Sequence, residues 1–353
     1  MNESTYERPG VYSVYDASSA VSAGQGGRIV GAAARAARGT VGACVTVTSY
    51  AAGVAAFGED ETPGMSTLLR LLFANGASVV QAVRVADEGG TEDYAAAFAA
   101  LGKQEAQVIV CDSGETAVHQ ALRTAVEEAS SARRERIGIV GGSGEDVSAM
   151  VAHAEALNSE RMVLVGPDAL DRKGNTLPAV FAAAAVAGAV AAARDPASPL
   201  NGTALKELGG LSHDCDDGEI NLLVRGGVLP LENISGVVSP VRGITTRSKT
   251  GEAKDATWRE LTTILIVDDV IPAVRSALRA KFARAKNTAR SRGAIRSQVI
   301  VELEKKLAAE IIDSYGDVTV TASADDPSVC VVEFGFAVAH GLNQIYLTVH
   351  ITV

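Results

Sequence analysis

The sequence has little cysteine and none of it is paired. Cys44, Cys111, Cys215 and Cys330 are far apart and form no C-x-x-C motif, which argues against a disulfide framework or a thiolate metal site and for reduced, buried thiols. Basic residues are also short: 32 Lys plus Arg stand against 42 Asp plus Glu, for a net charge of -10. That balance leaves no global footprint for nucleic acid or for an anionic membrane. No apolar run suits a bilayer either. Residues 177–193 carry no charge, but they are mostly alanine and fall short of the ~20 strongly apolar residues that a span needs. A helix packed closely inside the protein fits them better. The first ten residues show no basic region followed by an apolar stretch, so the chain is expected to be made and kept in a cytoplasm.

What is present is a foldable chain of 353 residues, 47% hydrophobic and 21% charged, long enough for two or three structural units. The first 25 residues read as an arm, with a turn at Pro9-Gly10 and a short β-prone run from Val11 to Tyr15. Residues 41–50 are valine- and threonine-rich and read as a strand, residues 66–75 as a buried helix, and residues 77–85 as another strand. From there strand and helix alternate. Strands are expected at 107–111, 137–140 and 161–165, and helices at 115–133, 145–157 and after Pro178. Short continuous apolar runs separated by helices signal βαβ units and a parallel sheet covered on both faces.

After residue 199 the pattern shifts to loop and strand, with strands expected at 220–224 and 237–244 and a further apolar stretch at 258–267. Two long helices follow. Ile271, Val274, Leu278 and Phe282 recur at helical spacing in the first, and Ile295, Val299, Leu303, Leu307 and Ile311 in the second. The chain then ends in β pattern. From residue 344 onward Ile345, Leu347, Val349, Ile351 and Val353 alternate with polar residues, a strict period of two that needs a sheet to join. The fold class is therefore α/β: a parallel-sheet core plus an α+β C-terminal domain, with extended arms at both ends.

No constellation carries convincing chemistry. Gly141-Gly-Ser-Gly-Glu-Asp146 follows a strand and opens a helix, where a phosphate cradle would sit, but Val147 replaces the third glycine of a dinucleotide fingerprint. No Gly-Lys-Ser/Thr follows, and Glu145 spoils a nucleophile elbow. A nucleotide-binding protein or enzyme using this loop is kept as the alternative reading. His213-Asp-Cys-Asp-Asp217 gathers potential ligands, but adjacent residues cannot all face one ion, so it reads as a solvated loop. Asp268-Asp269 precedes Pro272 and reads as a helix cap. None of the five histidines has a partner at a spacing that suggests a catalytic relay. The expectation is no catalytic residue, no cofactor and no metal.

Charge is more informative. Arg275, Arg279, Lys281, Arg284, Lys286, Arg290, Arg292, Arg296, Lys305 and Lys306 face only Glu302 and Glu304, a local +8 in a chain of -10, so the remainder carries -18. This asymmetry suits a helical region that meets an acidic surface.

Several stretches together resemble one family. They are Arg8-Pro-Gly-Val-Tyr12, the Val-Ala-Gly helix from Val180 with the following Pro-Leu-Asn-Gly202, Gly243-Ile-Thr-Thr246, Trp258-Arg-Glu-Leu261, Asp268 to Ile271, and the all-β tail. In order and spacing the chain resembles the tail sheath proteins of contractile bacteriophage tails and phage-tail-like bacteriocins. The resemblance implies a structural subunit and not an enzyme: six copies form a ring, rings stack around an inner tube, and the sheath shortens to drive the tube through a bacterial envelope. It implies that both chain ends complete a sheet on neighbouring copies, with Pro9, Gly10, Val11, Tyr12 and Val14 in the first arm and Ile345, Leu347, Val349, Ile351 and Val353 in the second.

The same resemblance puts the tube contact in the C-terminal domain, which makes Arg275, Arg279, Lys281, Arg284, Lys286, Arg290 and Arg292 the candidate tube-facing set. The implied organisation is an arm over 1–25, the start of the body over 26–95, the α/β core over 96–200, the tube-facing domain over 201–341 and a terminal strand over 342–353. Implied partners are other copies, the inner tail tube protein, and baseplate and tail terminator proteins, without nucleic acid or direct membrane insertion. Assembly in the bacterial cytoplasm and release within a virion tail or tail-like particle follow from the same likeness. Many sheath proteins carry outer domains between the N-terminal part and the core. Here only Asp87-Glu-Gly-Gly90 intervenes, so a minimal sheath is expected.

Overall fold

Runs in which every residue is apolar need cover on both faces, and the computed structural model supplies it. The structure describes residues 27–251, 253–324 and 326–343. Its core is an eight-stranded sheet. In chain order the first seven strands and helices are β1 (Val30–Arg35), β2 (Cys44–Val47), α1 (Tyr50–Phe57), α2 (Met65–Ala74), β3 (Val80–Val85), α3 (Thr91–Gly102) and β4 (Val108–Cys111). Then come α4 (Thr116–Ser131), β5 (Ile137–Gly141), α5 (Val147–Leu157), β6 (Met162–Gly166), and the short β7 (Ala169–Leu170) and β8 (Thr176–Leu177). The body closes with α6 (Ala179–Ala192), β9 (Gly210–Leu211), α7 (Asp217–Gly226), β10 (Val228–Ile234) and β11 (Val237–Pro240).

The sheet order is β11-β10-β6-β5-β4-β1-β3-β2. Pairing is parallel from β10 through β3, and the edge strands β11 and β2 are antiparallel to their neighbours. Helices α1, α2 and α6 pack on one face, and α3, α4, α5 and α7 on the other. A parallel sheet needs such double cover because its strands are apolar on both sides. The alanine-rich α6 is buried along nearly its whole length, as expected of a helix that is apolar all round. At Gly188 it crosses α2 so closely that a Cβ would lie 2.7 Å from the Leu72 carbonyl oxygen.

Three expectations needed correction. The strand read over 41–50 ends at Val47, and Ser49 then caps α1 by accepting a hydrogen bond from the Ala52 N–H. Residues 220–224 are helical, not extended. Asp216 accepts from the Glu219 N–H while the Glu219 side chain accepts from the Asp216 N–H, a reciprocal cap that starts α7, and Gly227 in the left-handed region ends it. The polar stretch after residue 245 holds a small hairpin, β12 (Lys249–Thr250) with β13 (Ala253–Lys254), but the next helix starts early. α8 runs from Leu261 to Phe282, so Asp268 and Asp269 lie inside it and Pro272 sits in its interior, not in its first turn.

α8 joins two cores. Leu261, Ile264 and Leu265 pack with α6, whereas Ile266, Val270 and Val274 pack with α9 (Ala289–Ala308). Ile311 lies beyond the end of α9 and leads into β14 (Ile312–Tyr315), followed by β15 (Thr319–Ala322), β16 (Cys330–Glu333) and β17 (Phe336–Val338). These strands form two separate antiparallel ribbons, β14 with β17 and β15 with β16.

Candidate functional site

The basic residues of the C-terminal helices divide by what they touch. Arg275 reaches back to the body and pairs with Glu135 at 2.8 Å, which, although burial pushes that carboxyl up, holds it below the usual range. Lys306 pairs with Asp269, and Lys305 with Glu302 at 2.9 Å. Lys281 donates to the Gln298 side chain, Arg292 to the Asn287 side chain at 3.0 Å, and Arg296 to the Val318 carbonyl at 2.7 Å. Arg279, Arg284, Lys286 and Arg290 make no side-chain hydrogen bond or ion pair among the described residues, and all four are exposed. They converge on the connection between α8 and α9, which Asn287 fastens to the β15–β16 ribbon by donating to the carbonyls of Pro327 and Val329. Uncompensated charge at one end of a helix pair creates a local positive field in an otherwise acidic chain.

The ribbons themselves are only half covered. Neither β15 nor β16 has a fully buried residue, and Val329 and Val331 are 44% and 39% exposed. Two-stranded ribbons with free edges are marginal alone and receptive to a further strand. The chain leaves this unit along the body. Gly341 lies against Pro199, and Asn201 donates to the Asn343 side chain at 2.9 Å. At the other end, Arg28 donates to the carbonyls of Val190 and Ala193, closing the C-terminus of α6. Both ends of the described chain are thus fixed near the end of one core helix. The arm residues Pro9, Gly10, Val11, Tyr12, Val14, Ile345, Leu347, Val349, Ile351 and Val353 lie outside the described residues.

The loop from Gly141 to Asp146 is filled by the protein's own carboxylates. The Gly144 N–H donates to Asp168 at 2.8 Å, Glu145 folds back over Gly142, and Asp146 accepts from the Ala149 N–H to cap α5. Asp168 also accepts from the Ala179 N–H and so caps α6. Donors that a phosphate would use are occupied by groups of its own sign, which disfavours anion binding.

The histidines do have partners that sequence spacing missed. His119 on α4 and His153 on α5 stack, with His119 Nδ1 and His153 Nε2 2.9 Å apart. Burial, then the neighbouring His153, pull the His119 pKa down to about 3, so His119 is neutral. Its Nε2–H donates to the Ser113 carbonyl, and its Nδ1 therefore accepts from His153. His153 Nδ1 in turn faces Glu145 Oε1 at 2.8 Å. The chain of bonds ends on a backbone carbonyl, not on a nucleophilic hydroxyl, so it ties α4, α5 and the 141–146 loop together without setting up a relay.

Beside it, between the ends of β1 and β4 where the strand order reverses, lies a cleft of about 630 Å³, the usual ligand position in doubly wound folds. Asp112 dominates its floor and is already neutralised, accepting from the Tyr94 hydroxyl and from Arg35 Nε at 3.0 Å.

A doubly covered α/β body thus carries a helix pair whose two-stranded ribbons have no further strand beside them among the described residues. The phage tail sheath protein central domain matches residues 87–246 and the phage tail sheath C-terminal domain matches residues 253–352. The chain belongs to the phage tail sheath family. It is 28% identical over 258 residues to the tail sheath protein of Bacillus phage SP01, covering 71% of this chain and 44% of that one. It therefore spans less than half the length of that relative. Its fold is that of solved sheath structures. A sheath tail protein from Listeria innocua has a TM-score of 0.74 at 14% identity, over 90% of this chain and 93% of that one. The helical sheath of the anti-feeding prophage in its contracted state has a TM-score of 0.72 at 16% identity, over 98% and 99%.

Proposed function

We propose that this chain is the sheath subunit of a contractile injection machine, stacking in rings of six around an inner tube and shortening to drive that tube through a bacterial envelope. The observation that carries this reading is the pair of half-covered ribbons at the end of a sheath-family chain. Strand addition would give them what they lack: backbone hydrogen bonds for strength and alternate side chains for register. In this reading residues 1–25 and 342–353 are the arms, exchanged with neighbouring copies. A head-to-tail contact of that kind generates rings or filaments and not closed dimers. The body over 26–200 moves as a rigid unit, and the domain over 201–341 faces the tube through the exposed Arg279, Arg284, Lys286 and Arg290, flanked by Arg275, Lys281 and Arg292, whose side chains the protein itself already engages.

Contraction would draw on subunit interfaces held in a kinetically trapped lattice, with no nucleotide consumed and no catalytic residue. The remaining partners would be the tube, baseplate and tail terminator proteins. Assembly would take place in the bacterial cytoplasm and release would follow within the particle.

Removing the residues after Asn343 tests the reading. Truncated protein is expected to stay folded by circular dichroism and to remain monomeric, while the full chain forms hollow cylinders in negative-stain micrographs. Cylinders from the truncated chain would remove the arm argument.

A further inference from the structure

In sequence, the segment from His213 to Asp217 reads as a solvated loop because neighbours cannot all face one ion. In the structure they need not. His213 and Cys215, two positions apart, turn to the same side, and Glu219 faces them from the first turn of α7. A His213 ring nitrogen, the Cys215 sulfur and a Glu219 carboxylate oxygen lie within 4.8 Å of one another, and His213 Nε2 is 2.9 Å from Glu219 Oε2.

We propose that His213, Cys215 and Glu219 bind one divalent cation of the zinc type, with the fourth tetrahedral position left to water. The donor set selects the ion: thiolate and imidazole suit Zn²⁺, whereas Mg²⁺ and Ca²⁺ require oxygen. Bonds of about 2.0–2.3 Å place ligand atoms roughly 3.3–3.8 Å apart in a tetrahedron, so side-chain rotation is enough to close the site.

The backbone around it is already held. Ser212 donates to the Asp168 carbonyl through both its N–H and its hydroxyl, and Cys215 packs against the body core. Glu219 Oε2 accepts from the Asp216 N–H at 3.0 Å. Its Oε1 makes no hydrogen bond among the described residues and can ligate without dismantling the cap. The amino end of α7 opposes a cation by roughly half a charge. Asp214, Asp216, Asp217 and Glu219 outweigh it, and residues 212–224 contain no Lys or Arg. On binding, the Cys215 thiol releases its proton to solvent and the metal replaces the hydrogen bond between His213 and Glu219. The ion would pin the loop after β9 to α7, independently of the sheath reading.

Cobalt reports this site directly. The full chain, stripped with a chelator and titrated with CoCl₂, is expected to show a thiolate-to-cobalt charge-transfer band and tetrahedral ligand-field bands, saturating at one ion per chain and displaced by Zn²⁺. Cys215→Ser should abolish the charge-transfer band. Glu219→Gln keeps the helix cap, since glutamine serves there too, and should weaken binding by more than the roughly 10- to 100-fold that losing an outer-shell partner costs. His213→Gln should weaken it similarly. The proposal is overturned if folded protein shows no such bands at saturating cobalt, or if the bands survive Cys215→Ser and so arise at Cys44 or Cys330. Binding unchanged in both Glu219→Gln and His213→Gln overturns it as well.

Discussion

In the α/β body, β4, β5 and β6 are buried at every residue, whereas in the C-terminal unit β15 and β16 are half-buried or exposed throughout. The same chain thus builds one region whose apolar surface is covered from within and another whose strands pair only two by two among the described residues. Energetically, the first should behave as an independently stable domain. The second has a modest core between α8, α9 and the ribbons and should gain stability from whatever pairs with its edges. Phe98 and Val331 put this to the test. Phe98 of α3 is fully buried, while Val331 is 39% exposed on β16. Phe98→Ala should cost about 3–5 kcal/mol in urea unfolding of the isolated chain, and Val331→Ala no more than about 0.5 kcal/mol. Similar costs at both sites would erase the distinction.

The seam between the regions is the next point to break. Arg161 holds Asp268 of α8 through two hydrogen bonds of 2.9 and 3.0 Å, and both side chains are largely buried. Burial pushes the Asp268 carboxyl up in spite of that partner, which shows how strongly desolvation weighs here. Removing one member of a buried pair costs about 3–5 kcal/mol because the other charge is left behind. Asp268→Ala should sit at the low end of that range, at about 3 kcal/mol, because both side chains keep some exposure. Protease cleavage appearing first within α8 would show that the seam, and not either core, has opened.

Within the body, the histidine pair predicts a smaller, pH-dependent effect. His119 has its pKa lowered from 6.5 to about 3 by burial. As pH falls below 6.5 the unfolded chain takes up a proton that the folded chain refuses, so stability drops through the window from 6.5 towards 3. His119→Gln, which keeps a neutral donor for the Ser113 carbonyl, should flatten the thermal midpoint over that range. An equally steep profile in the variant would assign the acid sensitivity elsewhere.

How far these features were legible in the sequence depends on whether one local signal decided them. The central strands and α6 were plain because continuous apolar runs and an uncharged alanine stretch admit few alternatives. Helix α7 was misread because Ile220 to Val224 is a short apolar run, which periodicity cannot assign. Its true signature was Asp216 three residues before Glu219, a cap read as a polar loop. The start of α8 was obscured for a different reason: residues 261–265 face one core and residues 266–274 another, so no single stripe marks the helix. The pairing of His119, His153 and Glu145 was invisible, since it depends on how α4 and α5 lie side by side. In the basic region the charges were countable from sequence, but which of them the protein already neutralises was not.

That last distinction gives the finest test of the two regions. Arg279, Arg284 and Arg290 have no partner among the described residues, so their reversal to glutamate removes no internal bond. The isolated triple variant should unfold within about 0.5 kcal/mol of the parent, and Arg279 should contribute only a small helix-end term because it lies in the last turn of α8. Binding to an acidic surface should respond far more strongly, since three charges change sign at one end of the helix pair, a swing from +3 to -3, and like charges across an interface repel. Tube-templated assembly, followed by sedimentation at low and moderate salt, should therefore be lost in the triple variant and weakened by salt in the parent. Arg275→Glu should do the opposite: it breaks the contact with Glu135, lowering stability while leaving the exposed tip charged. A triple variant that assembles on the tube like the parent would free this surface from the role assigned to it, and a destabilised one would show that the tip serves the fold.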